Sequence, residues 1–395
     1  MLIWASLPRG DEGDADEGAR DAEGLEGAEA LIDEESGEGE RDTEHFRAER
    51  TTELGCTVFD AGLWSRRAQY PKRHMADPSE RVALGRTRLS VSRLSLGGAP
   101  IASLPEESGE ATTAGIVARA FELGIRAFDT APLYGVGKSE RWMGAALRKL
   151  PRDEIVVATK VGRLIRKDDS GKERAVFDFS YDATLRSLEE SLARLGLDRV
   201  DVLHIHDPDT HYADAMGGAY RALDKLRADG TIGAVGAGMN QQEMPARFAR
   251  AGAFNTFLLA GRYTLLDQVG LKDLLPLCTE QGIGIYVGGV YNSGLLANPV
   301  AGATFNYKPA TPEWLAKAQR IKAVCDRHDT PLMAAAIQFP TAHPAVATVL
   351  TGVRSISELE ENVRMFTHAV PVALWADLRA EGLLPDDAPT PSSPG

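Results

Sequence analysis

Long apolar runs, paired cysteines and a uniformly charged surface are all missing from this chain of 395 residues. No stretch approaches the roughly 18 apolar residues of a membrane-spanning helix. The opening MLIWASLPRG has no basic segment before its short apolar start, so no signal peptide is expected. Cysteine is scarce: Cys56, Cys278 and Cys325 form no CxxC pair and no metal-ligand spacing. That sets aside a disulfide framework and a metal site, and fits a cytoplasmic protein. Cys278 and Cys325 fall in helical stretches, where they read as core thiols.

Charge of one sign is also lacking over most of the chain. The formal net charge is −13, but residues 1–50 hold 17 Asp and Glu against 5 Arg, and the remainder nets only −1. No global field therefore favours a nucleic acid, a membrane surface or a charged partner. Residues 10–50 have too few large apolar groups to offset the entropy of ordering. Residues 1–74 are thus expected to be a disordered acidic extension, with natural translation starting at Met75. Residues 385–395, PDDAPTPSSPG, are rich in Pro and Ser and are expected to be a second disordered tail.

What is present is a strict alternation over residues 75–384. VALGRT and LSVS flank Arg88 as a small leading hairpin. Apolar strands then alternate with amphipathic helices, from RLSLGGAPIA and ATTAGIVARAFELG to VATVLTGV and SISELEENVRMF, giving eight of each. Gly124, Gly196, Gly230, Gly252 and Gly282 stand at helix ends, the usual C-terminal signal. The strands are near-continuous apolar runs, as buried parallel strands should be. The fold class is α/β, a (β/α)8 TIM barrel. A doubly wound sheet is disfavoured, because LGGAPIASL lacks the GxGxxG fingerprint after the first strand and GAVGAG has the wrong spacing.

A barrel puts its chemistry at the C-terminal ends of its strands. There the sequence places Asp129 in AFDTAPLYG, with Tyr134 five residues on, Lys160 in VVATKVG, and His204 and His206 in LHIHDPD. A lysine after four apolar strand residues is buried and needs a partner, and Asp129 on the next strand supplies one. A free tyrosine titrates near 10, and a nearby lysine cation is expected to lower it. Tyr134 is then expected to exchange a proton with a carbonyl or alcohol while hydride moves to or from a nicotinamide. His206 orients the same oxygen, and His204 reads as a core residue. A barrel hydrolase built on His204 and His206 would need a second carboxylate-rich strand end, which the sequence lacks.

The run GIRAFDTAPLYGVGKSE, with ATKVGR and HIHDPD downstream, resembles the aldo/keto reductase family over residues 84–380. LAGRYTLLDQ and GGVYNSGLLA are similar to the branch acting on D-threo-aldoses, L-fucose and related sugars, or on pyridoxal. The resemblance implies a catalytic tetrad of Asp129, Tyr134, Lys160 and His206 and an NAD or NADP cofactor. Cofactor contacts are implied at Asn240, Tyr291, Asn292, Ser293, Gly294, Gly352, Arg354, Glu358, Glu361 and Asn362. The pattern departs from the family at Met239 (usually Ser), near Ala260 (usually Gln) and at Gly288 (usually the aromatic that stacks on the nicotinamide). Tyr291 is the candidate replacement for that aromatic. Glu358 aligns with an Arg that often meets the ribose 2′-phosphate; a carboxylate there repels phosphate, so NAD is expected, with Arg354 as a competing phosphate contact. The implied substrate is a small sugar or aldehyde, with no nucleic acid or membrane partner. A nicotinamide-binding regulatory barrel without turnover is the alternative.

Overall fold

The computed structural model describes residues 76–392; the expected acidic extension, Met75 and Cys56 lie outside the described residues. Fourteen strands follow in chain order: β1 (Arg81–Ala83), β2 (Ser90–Ser92), β3 (Leu94–Gly97), β4 (Ala127–Asp129), β5 (Val156–Val161), β6 (Arg163–Lys167), β7 (Glu173–Phe177), β8 (Val202–His206), β9 (Ala234–Met239), β10 (Thr256–Ala260), β11 (Gly284–Gly288), β12 (Thr304–Phe305), β13 (Lys308–Pro309) and β14 (Val346–Gly352). The helices are α1 (Glu106–Glu122), α2 (Lys138–Leu147), α3 (Tyr181–Leu195), α4 (Tyr212–Asp214), α5 (Arg221–Ala228), α6 (Glu243–Ala251), α7 (Leu274–Gln281), α8 (Pro312–Arg327), α9 (Leu332–Gln338), α10 (Ile356–Thr367) and α11 (Val372–Ala380). A π-helical turn over Ala215–Tyr220 joins α4 to α5.

The eight expected strands close into a parallel barrel in the order β3, β4, β5, β8, β9, β10, β11, β14. Side-chain alternation sorts each strand into two cores. Ala127, Val156, Ala158, Val202, Ala234, Leu258 and Tyr286 pack together inside the barrel. Phe128, Val157, Leu203, Ile205, Val235, Phe257 and Ile285 face outward and join the larger core beneath the helices. The leading hairpin β1–β2 plugs the N-terminal end, where Leu84 and Val91 enter the inner cluster. Its turn needs Gly85: φ is +55°, and a Cβ would lie 2.6 Å from the Asn255 carbonyl oxygen and 2.7 Å from that of Gly282.

Helix ends follow local rules. Ser180 caps α3 by accepting a bond from the Ala183 amide, and Gly196 closes it in the left-handed conformation at φ +62°. Gly124, Gly230 and Gly282 close their helices in the same way, whereas Gly252 is extended at φ −151°.

The sequence reading missed several elements: the antiparallel pair β6–β7 after β5, the small pair β12–β13, and helices α9 and α11. The second tail differs too. Over its described part, 385–392, Ala388 is buried, and the Arg379 guanidinium donates to the Ala388 carbonyl and the Thr390 hydroxyl. Proline-rich composition gave no sign that an arginine would hold this segment against α11.

Candidate active site

Asp129 ends β4, Lys160 sits one residue from the end of β5, and His206 ends β8, all with inward-facing positions at the C-terminal mouth. Register sets their heights: Asp129 is level with Ala158, and Lys160 is level with His204. The buried Lys160 ammonium donates to Asp129 Oδ1 at 2.5 Å and to the Thr130 carbonyl at 2.8 Å.

Tyr134 is aimed by a tightly wound loop. Its amide donates to the Ala131 carbonyl and its carbonyl accepts from the Ser139 amide. The next three residues are all left-handed: Gly135 at φ +60°, Val136 at +52° and Gly137 at +80°. A β-branched valine in that region is strained, and such strain persists only where the surroundings over-determine it. Ser139 helps to do so, since its buried hydroxyl donates to the Gly98 carbonyl and meets Thr130 Oγ1. The Tyr134 ring therefore lies 4.8 Å from the Lys160 Nζ and edge-on to His206, with centroids 5.8 Å apart.

Electrostatics follow from burial and pairing. Burial works against the Lys160 charge, but Asp129 and then Tyr134 outweigh it and push the ammonium up to about 12. Burial lifts the Asp129 carboxyl, with Lys160 opposing. The lysine's two short bonds demand a cation facing a carboxylate. Tyr134 departs from the sequence expectation: burial raises its phenol, Lys160 pulls it back and Asp129 raises it again, for a net shift upward. Burial outweighs the lysine's field, so Tyr134 rests as a phenol rather than a phenolate. Burial and then Lys160 depress His204 to about 3, and burial, Lys160 and Arg163 hold His206 well below its ordinary value. Both rings are neutral at pH 7, and each carries one proton to donate.

Around the lysine lies a polar layer with unused bonding capacity. Among the described residues, Asp129 Oδ2, both His204 nitrogens, His206 Nδ1 and the Tyr286 hydroxyl are buried without a hydrogen-bond partner. His204 Nδ1 and Asp129 Oδ2 stand 3.8 Å apart. Gly236 makes room for the His204 ring, since a Cβ there would lie 2.4 Å from its Cδ2. His204 is thus a core residue, as its position in the strand indicated.

The positions assigned to a cofactor spread along the same mouth. Asn240 is exposed just past β9. After β11, Asn292 (φ +47°), Ser293 (+57°) and Gly294 (+94°) form a left-handed run, the kind of backbone that turns amides toward an anion. Asn292 Oδ1 is buried without a partner, and the Tyr291 hydroxyl donates to Asn362 at 3.0 Å. Gly352 ends β14 beside Gly97. Glu358 has a task the sequence reading did not assign: its carboxylate accepts from the Arg354 amide at 2.8 Å, while its own amide donates to Ser355 Oγ. That arrangement caps α10. Glu361 pairs with Arg364 along the same helix.

Two charged residues of the mouth went unread, Asp207 and Arg163, although both stand inside the quoted runs HIHDPD and ATKVGR. Asp207 follows His206 directly and is left-handed at φ +43°. Its Oδ2 lies 3.0 Å from an Arg163 Nη and 3.6 Å from His206 Nε2. Among the described residues no group of three His, Cys, Asp or Glu side chains is arranged to hold a metal ion, and no helix is long and apolar enough to cross a membrane.

A phenol beside a buried lysine and a neutral histidine at a barrel mouth is an arrangement able to exchange a proton with a bound molecule. Known proteins narrow this reading. The model of the aldo/keto reductase family matches residues 93–380. Pyridoxal 4-dehydrogenase of Microbacterium luteolum is 39% identical over 78% of this chain and 98% of its own. D-threo-aldose 1-dehydrogenase of a Pseudomonas species is 38% identical over 75% of this chain and 96% of its own. Among solved structures, a holo-form aldo-keto reductase of Bacillus halodurans matches with a TM-score of 0.65 at 26% identity, covering 80% of this chain and 98% of that one. The chain belongs to the aldo/keto reductase family and is an oxidoreductase.

Proposed function

We propose that the protein moves hydride between a nicotinamide and the carbonyl or alcohol carbon of a sugar or small aldehyde, with Tyr134 exchanging the proton. The observation that carries this reading is the placement of the Tyr134 ring over the Lys160–Asp129 pair, edge-on to neutral His206. Bound at the mouth, the nicotinamide supplies or accepts the hydride. The partnerless Asn292 oxygen, the left-handed run through Gly294 and buried Asn362 fit such a group, with Asn240 and α10 completing the cradle.

The protein's own part is proton transfer and orientation. In reduction, the Tyr134 phenol gives its proton to the substrate oxygen as that oxygen gains charge. The Lys160 ammonium then stabilises the phenolate left behind. In oxidation the same proton returns to Tyr134 from the alcohol. His206 donates its single N–H to the oxygen and fixes its approach. General acid–base transfer of this kind is worth about 10²–10⁴ in rate. NAD is the proposed cofactor, because Glu358 keeps a carboxylate at the start of α10, unfavourable to a ribose 2′-phosphate.

The test is a spectrophotometric screen at 340 nm with L-fucose, D-arabinose, L-galactose and pyridoxal against both cofactors. Turnover of any of them supports the reading. Cofactor binding without turnover of any substrate would favour the regulatory barrel instead.

A further inference from the structure

We propose that Asp207 and Arg163 form a subsite for the hydroxyl groups of a polyhydroxylated substrate, beside the carbon that reacts. This rests on the reaction proposed above and names the substrate class it serves.

The location is the first argument. Asp207 Oδ2 lies 3.6 Å from His206 Nε2, so a substrate oxygen held by His206 has this carboxylate as its neighbour. The Asp207 charge also reaches Tyr134, raising its phenol after burial, Lys160 and Asp129 have acted.

The second argument is that the pair is built and held. Asp207 keeps a left-handed backbone at φ +43°, and its amide donates to the Gly238 carbonyl on the next strand. Arg163 lies across the face of Phe177, 4.5 Å from the ring centroid, and its buried Nε has no hydrogen-bond partner. Both side chains still reach solvent, at 22% for Arg163 and 27% for Asp207. Partly open, the guanidinium and the carboxylate can still donate to and accept from a bound molecule.

Chemistry then names the ligand. A carboxylate accepts hydrogen bonds from two hydroxyls, and a guanidinium donates to their oxygens, so adjacent hydroxyls on one carbon chain satisfy both. Phe177, 49% exposed, leaves apolar surface open beside the pair for the C–H side of such a chain. Tyr307 stands at the tip of β12–β13, left-handed at φ +62° and within electrostatic reach of Asp207. A hydroxyl-free aldehyde would leave the Asp207–Arg163 pair facing alkyl groups, which disfavours it.

The experiment compares two four-carbon aldehydes, D-erythrose and butanal, which differ in their hydroxyls. Their reduction by NADH or NADPH is followed at 340 nm in the full chain, wild type and Asp207→Asn. Asparagine tolerates left-handed backbone, so this change removes the charge and keeps the turn; equal melting temperatures check that. The expected wild type prefers D-erythrose. Asp207→Asn lowers the D-erythrose to butanal ratio of kcat/KM by about 10- to 100-fold, the range of a hydrogen bond to a charged group. Arg163→Gln lowers the same ratio in the same direction. A ratio that stays within twofold in both variants overturns the inference. If the wild type reduces butanal and prefers it to D-erythrose, the subsite falls while the reaction stands. If the chain reduces neither aldehyde and fails the sugar and pyridoxal screen, the reaction falls, and the subsite with it.

Discussion

The two ends of the barrel are built on opposite principles. At the N-terminal end the interior is closed by the hairpin β1–β2, and Leu84, Val91, Ala127, Val156 and Val202 fill it with apolar contacts. At the C-terminal end the interior turns polar, with Asp129, Lys160, His204 and His206 buried and several of their atoms without partners. Backbone strain is distributed in the same way. Of seven non-glycine residues with left-handed backbone among the described ones, six (Val136, Asp207, Asn292, Ser293, Asn306 and Tyr307) lie in loops beyond the C-terminal strand ends, and only Asp329 lies elsewhere. One end is packed for stability, and the other tolerates strain and open bonding capacity, which is what a binding and reacting site requires.

The largest stability effect expected from this contrast is at Lys160. Lys160→Met leaves the Asp129 carboxylate buried without its cation, which costs about 3–5 kcal/mol. Urea unfolding should show that loss together with lost turnover; a change under 1 kcal/mol would mean that the pair is open to water. Leu84→Ala at the opposite end should cost about 2–5 kcal/mol by leaving a cavity. Its kcat should stay within about twofold, and a large fall in kcat would show that the two ends are coupled.

Acid should weaken the polar end in particular. The folded His204 titrates at about 3 against an ordinary 6.5, so its stability contribution is complete above 6.5 and drains away as pH falls toward 3. Each such histidine adds a slope of about 1.4 kcal/mol per pH unit in that window. His206 and His343 share the direction, so His204→Gln should make the decline between pH 6 and 4 shallower without abolishing it. An unchanged slope in urea titrations would contradict a neutral buried ring.

The smallest effect concerns the cofactor. Glu358→Arg should improve NADP use relative to NAD about tenfold, or about 1.4 kcal/mol. If wild type prefers NADP and Arg354→Ala removes that preference, the proposed NAD reading fails and Arg354 is the phosphate contact.

The barrel was legible because each strand and helix announces its own period, and the helix ends announce themselves by glycine. The Lys160–Asp129 pair at the mouth was legible because a lysine in a buried strand is out of place without a partner. What escaped was set by the tertiary fold. RLIRKDDSGKERAVF carries a hairpin whose strands pair with each other and with no barrel strand, so the alternating βα pattern hid it. Arg163 and Asp207 stand in the ATKVGR and HIHDPD runs, but the 43 residues of chain between them conceal their contact. The upward shift of Tyr134 escapes the sequence because a lysine shows its charge there, while the burial that chiefly raises the phenol, with Asp129 adding to it, is set by the fold.

Proton exchange by Tyr134 is the centre of this account, and Tyr134→Phe tests it most directly. The variant keeps the ring beside Lys160 and removes the hydroxyl that carries the transferable proton. Steady-state turnover should be measured beside cofactor affinity, with the best substrate from the screen. The account predicts that kcat falls by about 10²–10⁴ while cofactor affinity changes little. A variant that retains more than about a tenth of the wild-type kcat would contradict it, because general acid catalysis worth so little could not be the chemistry of this site.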